Sequence, residues 1–231
     1  MKDKKILKVT SIFLVSSALA VVVFGAARRW APAKASPVAS VQPKAAPDNR
    51  SLKERAKASG YANEVRPPQS TRVYADLADL TRDSSAVVIG VPQQNKPVLS
   101  ADGRSVSLDY TVRLEYVYKG KLQQGDTVTV RLPGGRVKLD DGSVAEMLTP
   151  WFKKMQNGKT YALFLQPGSA GAPFATTGEA QGVFEVPTTA ENQLINTHSG
   201  VPGNAVRQYN GQDVKSFLRE LRRVTGKPLK G

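Results

Sequence analysis

Residues 106–118 read VSLDYTVRLEYVY. Val106, Leu108, Tyr110, Val112, Leu114, Tyr116 and Tyr118 alternate there with Ser107, Asp109, Thr111, Arg113 and Glu115. Side chains on a strand alternate between its two faces, so this period of two predicts a strand with one face in a core and one face wet. A strand of this length must bend or coil, as strands do in small closed barrels. Downstream, Lys119-Gly120-Lys121 and Gln124-Gly125-Asp126 read as a connection. TVTVRL at 127–132 then repeats the alternation, with Val128, Val130 and Leu132 pointing inward.

The neighbouring segments fit an all-β pattern. Pro133-Gly134-Gly135 breaks the alternation and admits a left-handed or bulged backbone. Residues 136–139 and 144–148 flank Asp140-Asp141-Gly142, a hairpin turn signal. The loop at 149–158 (TPWFKKMQNG) carries two large aromatics. TYALFL at 160–165 reads as a buried strand, and 174–177 with 181–186 (QGVFEV) as a last pair. Upstream, AVVIGV at 86–91 is too short and too β-branched for a helix and fits a buried strand. VYADLADLTR at 73–82 has Val73, Tyr74, Leu77 and Leu80 at helical spacing. Residues 188–209 are polar and read as a loop. Residues 213–224 predict an amphipathic helix with Val214, Phe217, Leu218, Leu221 and Val224 on one face, and Gly226 stops it. The expected core includes Leu108, Val112, Leu114, Val128, Val130, Leu163 and Leu165.

The order LEYVYKG, DTVTVRLPGG, TPWFKKMQNGKTYALFL and TGEAQGVFEV resembles a family of uncharacterised bacterial exported or membrane-anchored domains. The layout is also distantly similar to the OB-like barrels of netrin-type and metalloprotease-inhibitor domains. It covers about half the chain, residues 73–186. The resemblance implies a mainly β fold: a small OB-like β-barrel with a short N-terminal helix and a C-terminal amphipathic helix. The inhibitors act through an N-terminal cysteine amine on a metal. This chain has no cysteine, so that mechanism is not carried over. OB-type barrels share no single function.

Residues 9–27 (VTSIFLVSSALAVVVFGAA) are uncharged and about long enough to cross a bilayer as a helix. Lys2, Lys4, Lys5 and Lys8 precede them; Arg28, Arg29 and Trp30 follow. Two readings fit. A cleaved signal peptide would use the lysine-rich start and a small-residue site such as Gly25-Ala26-Ala27 or Ala33-Lys34-Ala35. An uncleaved anchor accounts better for the long apolar run and the two arginines that follow it at once. The preferred expectation is a single-pass membrane protein with its domain outside the cytoplasm; the alternative is a secreted or periplasmic protein. The domain plan is an anchor or signal at 1–30 and an Ala/Pro-rich linker at 31–70. A barrel at 71–190 follows, then a loop and helix at 191–231. Within the linker, 48–59 reads as a weak helix with a thin apolar face.

The net charge of +14 invites a nucleic-acid reading, but its distribution opposes one. Residues 72–190 hold thirteen Lys/Arg against twelve Asp/Glu, while 1–30, 31–71 and 191–231 carry excesses of five, four and four. A phosphate-tracking protein concentrates positive charge on its folded face. Nucleic acid is therefore not expected as a partner, and the basic tails are read as solvated and drawn to anionic lipid headgroups. Catalytic signals are sparse. His198 is the only histidine and sits in a polar loop. Asp140, Asp141 and Glu146 match no metal-loop spacing and read as a turn; no metal or cofactor is expected. Pro133-Gly134-Gly135-Arg136 lacks the full phosphate-loop pattern. Arg136, Trp151, Phe152 and Lys153 are the candidate binding residues, since aromatics beside cations can stack rings or bases. Plugging a barrel end explains Trp151 and Phe152 more simply. The expectation is a binding domain rather than an enzyme, with an envelope protein or polymer as partner. A polyanion or oligonucleotide binder would need a basic barrel face. A hydrolase would need a cleft of clustered carboxylates.

Overall fold

The computed structural model describes residues 48–69, 72–169, 171–188, 195–197 and 208–227. The apolar segment at 9–27, His198 and the first part of the expected linker, 31–47, lie outside them. Among the described residues no helix is long and apolar enough to cross a membrane. The elements are α1 Leu52–Ser59, β1 Tyr61–Val65, α2 Leu77–Asp83, β2 Ala86–Leu99, β3 Val106–Lys119, β4 Thr127–Pro133, β5 Gly135–Lys138, β6 Val144–Leu148, β7 Tyr161–Gln166, β8 Phe174–Thr176, β9 Val183–Glu185, β10 Asn196–Thr197 and α3 Val214–Thr225. A 3-10 turn, Glu179–Gly182, joins β8 to β9.

The fold is mainly β. A seven-stranded sheet runs β10-β9-β7-β2-β3-β4-β8, and a three-stranded sheet runs β1-β6-β5. β8 meets β4 in parallel through Val130↔Phe174 and Arg131↔Ala175. It also meets β7 through Leu165↔Thr176 and Gln166↔Ala175. Gly134 and Gly135 turn the chain from the large sheet into the small one at φ +93° and +135°. A Cβ on Gly134 would lie 2.6 Å from Thr149 Oγ1. Pro133-Gly134-Gly135 is thus a corner between sheets. The expected hairpin around Gly142 forms, and the Ser143 N–H and hydroxyl both donate to Asp141 Oδ1.

Two cores lie on opposite faces of the large sheet. One holds Val88, Leu108, Tyr110, Val112, Leu114, Val128, Val130, Leu132, Leu163 and Leu165, so the whole expected core set is buried together. The other lies under α2 and α3 and holds Leu77, Leu80, Val87, Ile89, Phe164, Phe184, Tyr209, Phe217 and Leu221. The central strands β2 and β7 are covered on both sides, which is why AVVIG and YALFL read as unbroken apolar runs.

The structure departs from the sequence expectations at five places. Tyr116 and Tyr118 do not share the face of Leu114; they join the second core, while Val117 packs against the first. Ile89 pairs with Tyr116 and Gly90 with Leu114, so Glu115 is an extra residue that reverses the phase of β3. β2 continues to Leu99, through Pro92 and Pro97. β7 pairs with it only at Ala86–Gly90, so the later half is an edge, where a missing N–H is tolerated. α2 begins at Leu77, because the Asp76 carboxylate accepts from the Asp79 N–H; Val73 lies outside it, exposed. The expected linker is folded from Leu52 to Val65. Ser51 and Glu54 form a reciprocal cap on α1, Leu52 and Ala56 are buried, and β1 pairs in parallel with β6. The C-terminal amphipathic helix, whose apolar face leads one to expect a cap on an open barrel end, instead covers the outer face of the large sheet as α3.

Buried tyrosines make the fold sensitive to alkali. Burial raises the hydroxyl pKa values of Tyr118, Tyr161 and Tyr209, and pushes Tyr110 up to about 12. Above pH 10 the unfolded chain releases these protons while the folded chain holds them, so stability falls as pH rises through this window. We expect unfolding to coincide with a cooperative rise of tyrosinate absorbance above pH 10. A simple noncooperative titration at the ordinary tyrosine pKa, with the fold intact, would contradict it.

Candidate functional site

The small sheet is buried on one face only. Ala62, Ala145 and Met147 point inward with Leu52, Ala56 and Val106. The register Tyr61↔Val144, Asn63↔Glu146, Val65↔Leu148 and Arg136↔Glu146 sets Tyr61, Asn63, Val65, Val144, Glu146, Leu148, Arg136 and Lys138 on the other face. Among the described residues, three of the four large apolar ones that stand exposed are here: Tyr61 at 44%, Val65 at 58% and Leu148 at 37%. They need not be there for folding, since the inner face alone supplies this sheet's core.

Polar groups orient this surface. The Tyr61 hydroxyl donates to Glu146 Oε2 at 2.7 Å and accepts from Asn63 Nδ2 at 3.2 Å. The Arg136 guanidinium sits 5.9 Å from the centre of the Tyr61 ring. Arg55 Nη2 donates to Glu64 Oε2 at 2.5 Å, tying α1 to β1. β1 is an edge strand. Beside it an open groove of about 580 Å³ is lined by Arg55, Ala58, Ser59, Tyr61 and Asn63, with Asp48 and Arg50 at its end.

The four sequence candidates are only partly brought together. Arg136 lies on the small-sheet face. Trp151 is at its end: its Nε1–H donates to the Arg66 carbonyl at 2.6 Å, and the Arg66 N–H donates to the Leu148 carbonyl at 2.9 Å. Phe152 points away, 6% exposed in the first core beside Met155, and fills space there. Lys153 is exposed on the loop that follows. Tyr61 and Val65 were missed in sequence reading because YANEV is short, is followed by Pro67-Pro68 and sits in an apparent linker. The Tyr61, Asn63, Val65 alternation was the available signal.

A second polar site lies on the large sheet. Arg131 grips Asp109 through two bonds of 2.6 and 2.7 Å, which hold the guanidinium firmly charged. Arg66 pairs with Glu179 at 2.9 Å, and the other Glu179 oxygen accepts from the Gln69 N–H at 3.0 Å. Glu179 adopts φ +55°, a left-handed conformation unusual for a residue with a side chain. Arg66, Arg131 and Glu179 border a cavity of about 350 Å³ with Ser107 and Ser169. Each guanidinium already faces a carboxylate, so the cavity is internally neutral. Among the described residues no three His, Cys, Asp or Glu side chains gather as metal ligands.

No protein-family model matches the chain, and no curated protein matches it in sequence.

Proposed function

We propose that this chain is a binding domain of the bacterial envelope, tethered through residues 9–27 with its folded part outside the cytoplasm, and that it docks an envelope protein on the outer face of β1-β6-β5. The observation that carries this reading is the grouping of exposed Tyr61, Val65 and Leu148 around Arg136 on a sheet face that the core does not use. Tyr, Trp and Arg are the residue types enriched at protein interfaces. β1 also offers an edge that an extended segment of a partner can join.

An OB-like barrel is supported by the strand pairing. β2, β3 and β4 form a meander, β8 lies parallel to β4, and β8 also reaches β7. This gives a partly open five-stranded Greek-key circuit. An envelope polymer is the second reading, favoured by the neutral, hydroxyl-bearing cavity at Ser107, Arg131 and Ser169. Oligonucleotide binding is disfavoured. The wet residues on the face shared by β3 and β4, Ser107, Asp109, Thr111, Arg113, Thr127, Thr129 and Arg131, include no aromatic on which a base would stack.

The absence of cysteine makes the test clean. The full chain carrying Val65→Cys with a short photo-crosslinker is placed in intact envelopes. We expect one discrete protease-sensitive adduct, reduced about tenfold by Tyr61→Ala, as for an interface hot spot. Gln94→Cys, on the exposed part of β2, serves as control. Equal adducts from both positions, or a protease-resistant adduct, would overturn protein docking; the latter would move the reading to a polymer. Val65→Ser should change stability by no more than about 0.5 kcal/mol.

A further inference from the structure

On α3 the residues Lys215, Arg219 and Arg223 are exposed, and Lys227 follows just past the helix, also exposed. Lys215, Arg219 and Arg223 recur every fourth position, so on the helix they form one ridge, with a rise of about 6 Å from each to the next. Like charges at this spacing repel and destabilise the helix. Lys215 lies in the first turn, which carries no acidic residue, where the helix dipole disfavours a cation. The nearby acids are engaged. Glu220 accepts from the Tyr209 hydroxyl at 2.6 Å and stands 3.9 Å from Arg223. Asp213 caps the Ser216 N–H. On α2, which packs beside α3, Asp79 is paired with Arg82, and Asp83 with Arg72 and Arg82. The ridge is thus a row of repelling cations with little compensation from the fold. The apolar side of α3 is already spent: Phe217 and Leu221 are fully buried against the sheet.

We infer that this ridge is an electrostatic docking surface for an anionic phospholipid bilayer. The identity of the occupant rests on the tether reading. Only twenty residues separate the apolar segment from Asp48, so the chain spans at most about 70 Å before the folded part begins. The folded part is therefore confined near a surface whose charge complements the ridge. With its apolar side committed to the core, α3 lies on headgroups without inserting. Its attachment is fully reversed by salt.

The test uses the full chain with vesicles of phosphatidylglycerol or of phosphatidylcholine, reading flotation and lysine acetylation rates by mass spectrometry. We expect Lys215 and Lys227 to react at least fivefold more slowly with phosphatidylglycerol than with phosphatidylcholine at low salt. High salt should erase the difference, and Lys96 and Lys138 should not show it. Arg219→Gln with Arg223→Gln should abolish the protection. That change removes like-charge pairs without creating new ones, and glutamine is a good helix former, so it keeps the helix. Equal reactivity of Lys215 and Lys227 in both vesicles would overturn the ridge proposal. So would stronger protection by a single-stranded oligonucleotide at equal phosphate concentration. Flotation reports the tether separately. Flotation with both kinds of vesicle but no ridge protection with phosphatidylglycerol leaves the tether standing and the ridge refuted. Flotation only with phosphatidylglycerol, lost in the double variant, leaves the ridge standing and removes the tether.

Discussion

Leu114→Ala should lower the unfolding free energy by about 2–5 kcal/mol, while Glu115→Ala beside it should change it by no more than about 0.5 kcal/mol. Leu114 is 1% exposed and sits in the first core with Val112, Val128 and Val130. Truncation leaves a cavity in a region held by ladders on two sides, where β3 pairs with both β2 and β4, so the surroundings have little freedom to collapse. Glu115 is the extra residue of the bulge, and its carboxylate fills no part of either core. The bulge is backbone geometry, which alanine can keep. Denaturant melts of the two single variants read the difference. Equal losses would mean that the phase reversal does not lie between Leu114 and Tyr116. Gly90→Val probes the same place from the opposite strand. Its Cβ would come 2.6 Å from Val112 Cγ1, so β3 would be forced off β2.

Phe184→Ala should cost about 3–5 kcal/mol. Phe184 is fully buried, with ring centres 5.8 Å from Phe164, 6.3 Å from Tyr209 and 5.3 Å from Phe217. The cluster joins β7 and β9 to α3 and to the segment before it. Two further outcomes separate this core from the first. Phe184→Ala with Phe217→Ala should fall clearly short of the sum of the single losses or exceed it, because the rings touch. Phe184→Ala with Leu114→Ala should add to within about 0.5 kcal/mol, because the two side chains pack on opposite faces of the sheet. Strong coupling between Leu114 and Phe184 would mean one continuous core. The same cluster shows that α3 is part of the folded unit. A fragment ending at residue 190 would uncover Phe184 and Phe164, and would not serve as a fair probe of ligand binding.

Much of this architecture is written in local pattern. The alternation at 106–114 and 127–132, the Asp141-Gly142 turn, and the apolar face of 214–224 are short-range features. Each states which side of one element is apolar, and the structure buries those sides. The distribution of charge is likewise a property of composition, and it separates the nearly neutral centre from the basic ends before any fold is known. Other features were decided only in three dimensions. Val117 was a local sign that the alternation of β3 would fail, but where the phase reverses depends on pairing with Ile89 and Gly90. β1 reads as spacer because five residues with one buried side chain cannot hold a strand alone. It becomes one by pairing with β6, Tyr61 opposite Val144, far along the chain. The candidate docking face exists only through that pairing, which sets Tyr61 and Val65 beside Leu148 and Arg136. The same holds for the exposed cations of α3, whose meaning changed once Phe217 and Leu221 were committed to the sheet. Periodicity reports a residue's side relative to its chain neighbours, whereas a site is a relation between distant segments, and that relation is set by packing.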